Sequence, residues 1–280
     1  MDPKAILQGA ARRLFDAHKA GAPYVSVAET DGISGIDRGY DVQEEFVDLL
    51  LRDTGASVAG YKIALTSKPM QEMCGVDHPV AGVLLDSVVF PSPATVALGD
   101  YQHLGVEFEL AVRLGRDMPG RDMPGRDIQG RGIQGEGGAY TRDDVAEHVD
   151  ACAPAFELVD DRNADYAGLD GAGLAADNAW NGGVVIGAFT EAWRSLDLTR
   201  VAASLEWSGE ADAAATTGEA MGHPFEAVAW IANHLNARGR MLKAGEFVMT
   251  GSTMKTRFPK GGERLRYSLD GMGDVTAVIL

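Results

Sequence analysis

Two glutamates in one strand-like segment have the spacing that metal chemistry needs. In VEFELAV, the two-residue period of a strand places Glu107 and Glu109 on one face and leaves apolar side chains on the other. Neighbouring carboxylates repel each other unless a cation or water lies between them, and Mg²⁺ or Mn²⁺ with oxygen ligands relieves that repulsion. For an isolated ExE pattern, a strand with one solvated face is the simpler explanation.

A third glutamate repeats the arrangement in a later segment. Within PAFELVDDR, Glu157 is flanked by Phe156 and Leu158, which point away from it if the segment is a strand. If the two strands are neighbours, three carboxylates converge, and without a metal ion such a partly buried group is electrostatically costly. Sequence spacing alone leaves open whether the strands lie side by side.

A lysine stands inside an apolar segment, GYKIALTSK. Because lysine is rarely buried without a partner, Lys62 either extends to the surface or pairs with acidic groups in a site. A lysine beside a cation can have a lowered pKa and can serve as acid and base. The chain has no HExxH, GxSxG or P-loop motif and no GxGxxG that opens a helix after a strand, which argues against several common enzyme classes.

The amino-acid composition limits the classes of molecule that the protein is expected to bind. The 280 residues are 45% hydrophobic, enough for a sizeable core, and a formal net charge of -16 disfavours nucleic acids and anionic membrane surfaces. The first residues do not resemble a signal peptide, and no apolar run has the roughly 18 residues of a membrane span. The two cysteines form no CxxC. A cytoplasmic protein with a small-molecule substrate, and with neither nucleic-acid nor membrane partners, is expected.

Apolar residues recur at helical spacing over the first sixty residues. Asp41 and Glu44 resemble a capping box, and Gly55 is a plausible helix end. These patterns predict a helical N-terminal subdomain, residues 1–60.

Short β-rich runs then predict a catalytic domain over residues 61–280. Two helices interrupt it. One runs from about Thr141 to Cys152, with a capping box, and the other begins at Pro224 and ends before Gly239.

A five-residue repeat of Gly, Arg, Asp, an apolar residue and Pro or Gln fills residues 115–138. A period of five suits neither helix nor strand, so the segment is predicted to be a mobile loop inserted by tandem expansion. Loop insertions cost little free energy, which favours a neutral insertion over a lid.

An ordered series of motifs carries a family resemblance. GYKIALTSKPMQ, GVDHPVAG, VEFELAVRLGRD, PAFELVDDR, AADNAWNGGVVIG, GHPFEAVAWIANHL, KAGEFVMTGS and LDGMGDVTAVIL follow one another over about residues 40–280. The series resembles the 2-oxopent-4-enoate hydratase family, part of the fumarylacetoacetate hydrolase superfamily. The resemblance implies an α+β fold with a mixed β-roll or sandwich core, a small helical N-terminal subdomain and a homo-oligomer.

The same resemblance implies roles for individual residues. Glu107, Glu109 and Glu157 match the three metal carboxylates, and Lys62 matches the active-site lysine. The residues expected near a 2-oxo acid substrate are Asp77, Val80, Leu84, Asp177 and Ser252.

One departure bears on the reaction. Where the hydratases usually read PDFG or PDYG, this chain has Val80, and valine can neither position water nor carry a proton. Asp77 is three residues earlier, and on an extended segment that odd offset points to the opposite face. The related 4-oxalocrotonate decarboxylases have an apolar residue at position 80.

Four functions follow as hypotheses. The first is hydration of a 2-hydroxydienoate by a divalent-metal-dependent lyase, and the second, motivated by Val80, is decarboxylation of a vinylogous 2-oxo diacid. The third is carbon-carbon hydrolysis of the acylpyruvase type. The fourth is a non-catalytic metal-binding protein, against which the presence of all three glutamates and Lys62 argues.

Overall fold

Three helices form the N-terminal end of the computed structural model, which describes residues 2–120 and 138–280. Their bounds are α1 (Pro3–Lys19), α2 (Val27–Asp31) and α3 (Ile36–Thr54). The Asp2 side chain caps α1 by accepting a hydrogen bond from the Lys4 N–H. Gly55 ends α3 in the left-handed conformation, and its N–H donates to the Leu51 carbonyl, as the sequence predicted.

The capping box predicted at Asp41 and Glu44 is wrong. Helix α3 already begins at Ile36, after Gly35 has turned the chain with a φ of 85°, so both acidic residues lie inside the helix. Their carboxylates instead accept hydrogen bonds of 2.7 and 2.8 Å from the Arg238 guanidinium. The pair therefore ties α3 to the C-terminal half of the chain.

The remaining elements alternate between short helices and strands. Their bounds are β1 (Val58–Ala64), α4 (Lys68–Met73), β2 (Val80–Leu85), β3 (Val89–Pro91), β4 (Ala94–Val96), β5 (Leu104–Leu114), α5 (Arg142–Val145), β6 (Val149–Asp160), α6 (Gly171–Ala176), β7 (Asn181–Ile186), β8 (Ala202–Trp207), β9 (Glu210–Thr216), α7 (Pro224–Ala237), β10 (Phe247–Ser252), β11 (Arg264–Leu269) and β12 (Gly273–Ile279).

Within the described residues, these strands form two sheets. One has the order β2-β1-β10-β5-β6-β7-β3 and the other β4-β12-β11-β8-β9, and both mix parallel and antiparallel pairs. The first sheet curls, because side chains beside β7 reach β2. Asn178 bonds both the N–H and the carbonyl of Val83, and Asn181 donates to the same carbonyl. The expected α+β fold with a mixed β-roll core is confirmed.

The convex face of the roll packs against the second sheet. Phe108 of β5 and Phe156 of β6 meet edge to face, with centroids 5.8 Å apart, and both contact the ring of Tyr267 on β11. This apolar contact explains why alternate residues of β5 and β6 are fully buried away from the concave face.

The N-terminal helices pack directly on the β-rich part of the chain. Ala176 of α6 belongs to the same buried cluster as Phe15, Val42 and Phe46. The division at residue 60 stays a prediction.

Helix α7 begins at Pro224, as predicted, and its last residue, Ala237, precedes Gly239. The helix expected from Thr141 to Cys152 is wrong in length. Its capping box is present, but α5 ends at Val145. Cys152 instead pairs with Val112 in the β5–β6 ladder, because sheet pairing outcompetes local helix preference.

The prediction of a mobile repeat loop falls largely on residues 121–137, which lie outside the described residues. In the part that the structure describes, no helix is both long and apolar enough to cross a membrane.

Candidate functional site

Three glutamates meet on the concave face of the roll. Strands β5 and β6 are antiparallel neighbours, and their register places Glu107 directly opposite Glu157. Glu109 follows two residues later on the same face of β5. One carboxylate oxygen from each lies within 4.8 Å of the other two, and among the described residues no other acidic, histidine or cysteine group forms such a cluster. The sequence left open whether these two strands lie side by side, and the structure shows that they do.

Burial raises the pKa of two of these carboxylates, those of Glu109 and Glu157. Glu109 and Glu157 are fully buried, while Glu107 is partly exposed. Burial, reinforced by the charges of Glu157 and Glu107, holds the pKa of Glu109 well above its usual range. Burial also raises the pKa of Glu157 to about 7, although the neighbouring Lys62 ammonium opposes this shift. The cluster therefore needs positive charge in order to be fully ionised at neutral pH.

The hydrogen bonds of the glutamates leave room for a cation. Thr256 donates to Glu107 Oε1 over 2.6 Å, and the Gly251 N–H donates to Glu109 Oε2 over 2.8 Å. Gly251 has a φ of 95°, a conformation that favours glycine, so its N–H can point at the carboxylate. The other oxygen of Glu109 is buried and has no hydrogen-bond partner in the described structure. An unsatisfied buried carboxylate oxygen in an all-oxygen donor set fits a hard divalent cation.

Lys62 reaches the same cluster from β1. Its side chain is 2% exposed, and its ammonium contacts the Glu157 carboxylate and donates to the Ala179 carbonyl over 2.6 Å. Of the two interpretations of this buried lysine, pairing with acidic groups is the one the structure shows.

Gly82 leaves space for the lysine stem. It lies opposite Lys62 in the β1–β2 ladder. A Cβ at this position would lie 2.8 Å from Lys62 Cγ and 2.8 Å from the Asn178 carbonyl oxygen, closer than such atoms approach. Only glycine therefore allows both groups their present positions.

The lysine's carbonyl partner belongs to an unusual turn. Asn178, Ala179 and Trp180 are all left-handed, with φ values of 51°, 50° and 56°. For an L-residue this conformation costs about 1–2 kcal/mol. Three in succession persist only where the surrounding contacts hold them, and such strain concentrates at functional sites.

The residues expected near the substrate fall in different places. Val80 and Leu84 are fully buried on β2 and, by strand alternation, share the face of Lys62. Leu84 packs with Met249 in an apolar cluster next to the carboxylates on this face. The Asp77 side chain is 97% exposed, so it points away from the cluster.

Two further expected residues have their polar atoms engaged. The Ser252 hydroxyl accepts from the Phe108 N–H and donates to the Met254 carbonyl. The Asp177 carboxylate contacts His18 and Arg162. The polar atoms of both side chains therefore already have their partners inside the protein.

Tyr166 is a neighbour of the site that the motif argument missed. Its hydroxyl donates to the buried Asp161 carboxylate over 3.0 Å, and its ring lies 5.7 Å from that of Trp180. Burial and the Asp161 charge raise the pKa of its phenol, and Glu107 contributes through its own charge. The phenol therefore stays protonated within the electrostatic reach of Glu107.

Sequence comparison places these residues in a known family. A family model described as fumarylacetoacetate (FAA) hydrolase C-terminal matches residues 58–280. The 2-keto-4-pentenoate hydratase of Paraburkholderia xenovorans (strain LB400) is 30% identical over 266 residues, 95% of this chain and 92% of that protein. The 2-hydroxyhexa-2,4-dienoate hydratase of Comamonas testosteroni is 32% identical over 276 residues, 98% of this chain and 97% of that protein.

Solved structures share the fold. The 4-oxalocrotonate decarboxylase from Pseudomonas putida G7, complexed with magnesium and adipate, has a TM-score of 0.84 and 24% identity, covering 100% of this chain and 99% of that one. The fumarylpyruvate hydrolase from Pseudomonas aeruginosa, in complex with Mn²⁺ and pyruvate, has a TM-score of 0.56 and 18% identity, covering 79% and 88%. With the matched model spanning the strands that bear the glutamates and Lys62, the chain belongs to the fumarylacetoacetate hydrolase family.

Proposed function

We propose that the chain is a divalent-metal-dependent lyase that hydrates a small 2-hydroxydienoate, a reaction of the 2-oxopent-4-enoate hydratase type. One observation carries the proposal, the convergence of Glu107, Glu109 and Glu157 with Lys62 on the concave face of the roll. Relatives named as hydratases, at 30% and 32% identity over nearly the whole chain, support this activity rather than another of the superfamily.

The donor set defines how the site would work. Glu107, Glu109 and Glu157 would hold the cation, which when bound would stabilise the charge of the substrate carboxylate and the negative charge that develops on the 2-oxygen. Lys62 would move a proton as the 2-hydroxydienoate becomes an unsaturated 2-oxo acid, to which water would then add, and its contact with Glu157 supports this role. The apolar side chains of Leu84 and Met249 supply a dry wall for the hydrocarbon part of the substrate.

A second candidate is decarboxylation of a 4-oxalocrotonate-type diacid, favoured by Val80. This residue is fully buried on the face of Lys62 and offers no polar atom with which to hold water. Loss of carbon dioxide leaves a dienolate that needs the same charge stabilisation and no activated water.

The remaining assignments belong to the same proposal. Mg²⁺ or Mn²⁺ is the proposed cation, because the donors are all oxygen. A cytoplasmic homo-oligomer with a small 2-oxo acid as ligand is proposed, and the net charge of -16 supports a small-molecule rather than a nucleic-acid partner. Light scattering coupled to gel filtration would measure the number of subunits.

Three assays separate the reactions. If the chain is a hydratase, the ultraviolet absorbance of 2-hydroxypenta-2,4-dienoate should fall when the protein is added with Mg²⁺ or Mn²⁺. Carbon dioxide release from 4-oxalocrotonate would favour the decarboxylase instead, and pyruvate release from an acylpyruvate would favour the carbon-carbon hydrolase. If no activity is found in any of the three assays, with substrates of several chain lengths, the protein binds metal without carrying out this chemistry.

The metal assignment has its own test. Calorimetric titration with Mg²⁺ and Mn²⁺ should show binding to the wild type and at least about a tenfold weaker binding to Glu107→Gln, since metal ligands contribute strongly to affinity. Glu210→Gln is the matched control, because Glu210 is exposed on β9 outside the cluster. Equal affinity in Glu107→Gln and the wild type would refute the assignment.

A further inference from the structure

The position of the Lys62 ammonium depends on the left-handed turn Asn178–Trp180. Its Ala179 carbonyl accepts the 2.6 Å hydrogen bond from Lys62, whose ammonium also contacts Glu157. Because three left-handed L-residues relax when their surroundings loosen, whatever holds the turn also fixes this carbonyl. The contacts of the turn therefore determine how the ammonium is oriented.

Asp177, the residue just before the turn, is held at every polar atom. Its carboxylate is fully buried, with His18 Nε2 2.5 Å from Oδ1 and the Arg162 guanidinium in contact with Oδ2. Its N–H donates to the Gly173 carbonyl, and its own carbonyl accepts from the Trp180 N–H, each over 3.0 Å. The carboxylate is thus engaged on both oxygens, which is the pattern of an anchor rather than of a substrate ligand.

Residues of the N-terminal segment take part in holding Asp177. His18 lies near the end of α1, 159 residues from Asp177 in the sequence, and its ring packs 5.0 Å from that of Phe46 on α3. The Arg162 guanidinium donates to the Ala22 carbonyl, and the Arg162 backbone carbonyl accepts from the Tyr24 N–H. Contacts that begin on helix α1 thus end at the residue that starts the turn.

We propose that His18 is a positioning residue of the active site. By fixing Asp177, it keeps the turn left-handed and the Ala179 carbonyl directed at Lys62, so that the ammonium faces the reacting carbon chain. Without His18, Arg162 is, among the described residues, the one remaining side-chain contact of the Asp177 carboxylate, the turn holds the Ala179 carbonyl less firmly, and the lysine samples other orientations. The kinetic part of this inference rests on the proposed lyase function, whereas its structural part does not.

The variant His18→Ala tests the kinetic part. We expect kcat for 2-hydroxypenta-2,4-dienoate to fall by about tenfold or more, since small misplacements of a reacting group have effects of this size. KM and the calorimetric affinity for Mg²⁺ should change by less than about twofold, because the strands that carry the glutamates are untouched. His18→Gln retains a side-chain N–H and should recover part of kcat. Lys19→Ala is the matched control, since the adjacent Lys19 pairs with Asp53 and does not contact Asp177.

Chemical labelling of Lys62 tests the structural part without any turnover. In the metal-free wild type, buried Lys62 should react slowly with an amine-acetylating reagent, as followed by mass spectrometry of its peptide. His18→Ala should raise this rate severalfold while the exposed Lys255 reacts unchanged, and Lys19→Ala should match the wild type.

The two outcomes separate this inference from the proposed function. Unchanged labelling and unchanged kcat in His18→Ala would overturn the positioning role, as would parallel losses of kcat and Mg²⁺ affinity, which indicate general damage. If the wild type turns over none of the substrates, the proposed function fails, and the labelling rates still decide whether His18 positions Lys62.

Discussion

At the scale of single residues, the two buried glutamates link metal binding to pH. Glu157, with a usual pKa of 4.5, has a pKa of about 7 in the folded metal-free protein, because burial penalises its charged form. A raised folded pKa gives stability that is present below the unfolded pKa and lost as the pH rises through the folded value. The metal-free protein should therefore lose stability between about pH 4.5 and pH 7, and a cation should restore it.

This linkage predicts the direction of a metal effect. The rise in Tm on adding Mg²⁺, relative to the protein in EDTA, should be larger at pH 8 than at pH 5, since protons compete with the cation at low pH. Scanning calorimetry at both pH values measures it, and Glu107→Gln should show little rise at either. An equal or larger rise at pH 5 would contradict the protonation argument.

Gly82→Ala should damage the reaction more than the fold. The added methyl would press on Lys62 Cγ and on the Asn178 carbonyl, so we expect kcat to fall at least about tenfold, with a stability loss of about 1–3 kcal/mol. Gly99→Ala, where a Cβ meets nothing within 4 Å, controls for the change of residue type. Normal kcat in Gly82→Ala would show that the close approach is unimportant.

The site was predictable where its signal was local. Strand period placed Glu107 and Glu109 on one face, and the apolar segment around Lys62 offered pairing with acidic groups as one of two interpretations. The anchoring of Asp177 and the crowding at Gly82 arise from contacts between distant segments, for which one sequence carries no local signal.

At the scale of elements, the seam between β2 and β7 depends on the amide of Asn178. Removing it in Asn178→Ala leaves the N–H and carbonyl of Val83 without that partner, and should cost about 2–4 kcal/mol and most of the activity. Asn233→Ala is a matched control, since Asn233 bonds the N–H and carbonyl of Tyr140 in the same way, away from the site. Denaturant unfolding measures the stability loss of each variant, and kcat measures its loss of activity. Equal kcat losses in Asn178→Ala and Asn233→Ala would contradict a special role for the seam.

Element types were predictable and their limits less so. Apolar alternation identified β5 and β6, and Pro224 marked the start of α7. The capping box at Asp41 failed because α3 begins five residues earlier, at Ile36, which leaves the Asp41 carboxylate to Arg238, and the helix from Thr141 ended early because β6 pairs with β5. In the second case a strand far along the chain overrode the local preference.

At the scale of the whole molecule, the formal charge of -16 implies self-repulsion at neutral pH. Raising NaCl from about 0.05 to 0.5 M at pH 7.5 should raise Tm by a few degrees, because salt screens exposed charges. The same change near pH 4.7, the sequence pI, should have a smaller effect. An identical salt response at both pH values would contradict this account.

The fold of the whole molecule was predictable only through the family resemblance. Local patterns gave helices followed by strands, whereas the order β2-β1-β10-β5-β6-β7-β3 depends on strand pairs far apart in sequence. The residues beside Lys62 and the glutamates come together only in that order.

The seam of the roll also has a consequence for how its cavity can diversify. A backbone hydrogen-bond ladder between β2 and β7 would fix the circumference of the roll. Here the side chains of Asn178 and Asn181 join these two edges instead. Exchanging Asn181 for a longer or shorter side chain would change the bore while Asn178 keeps both of its bonds to Val83 and β7 stays paired with β6. The carboxylates of Glu107, Glu109 and Glu157 on β5 and β6 would keep their strand pairing in such a change, while the bore fits a larger or smaller molecule.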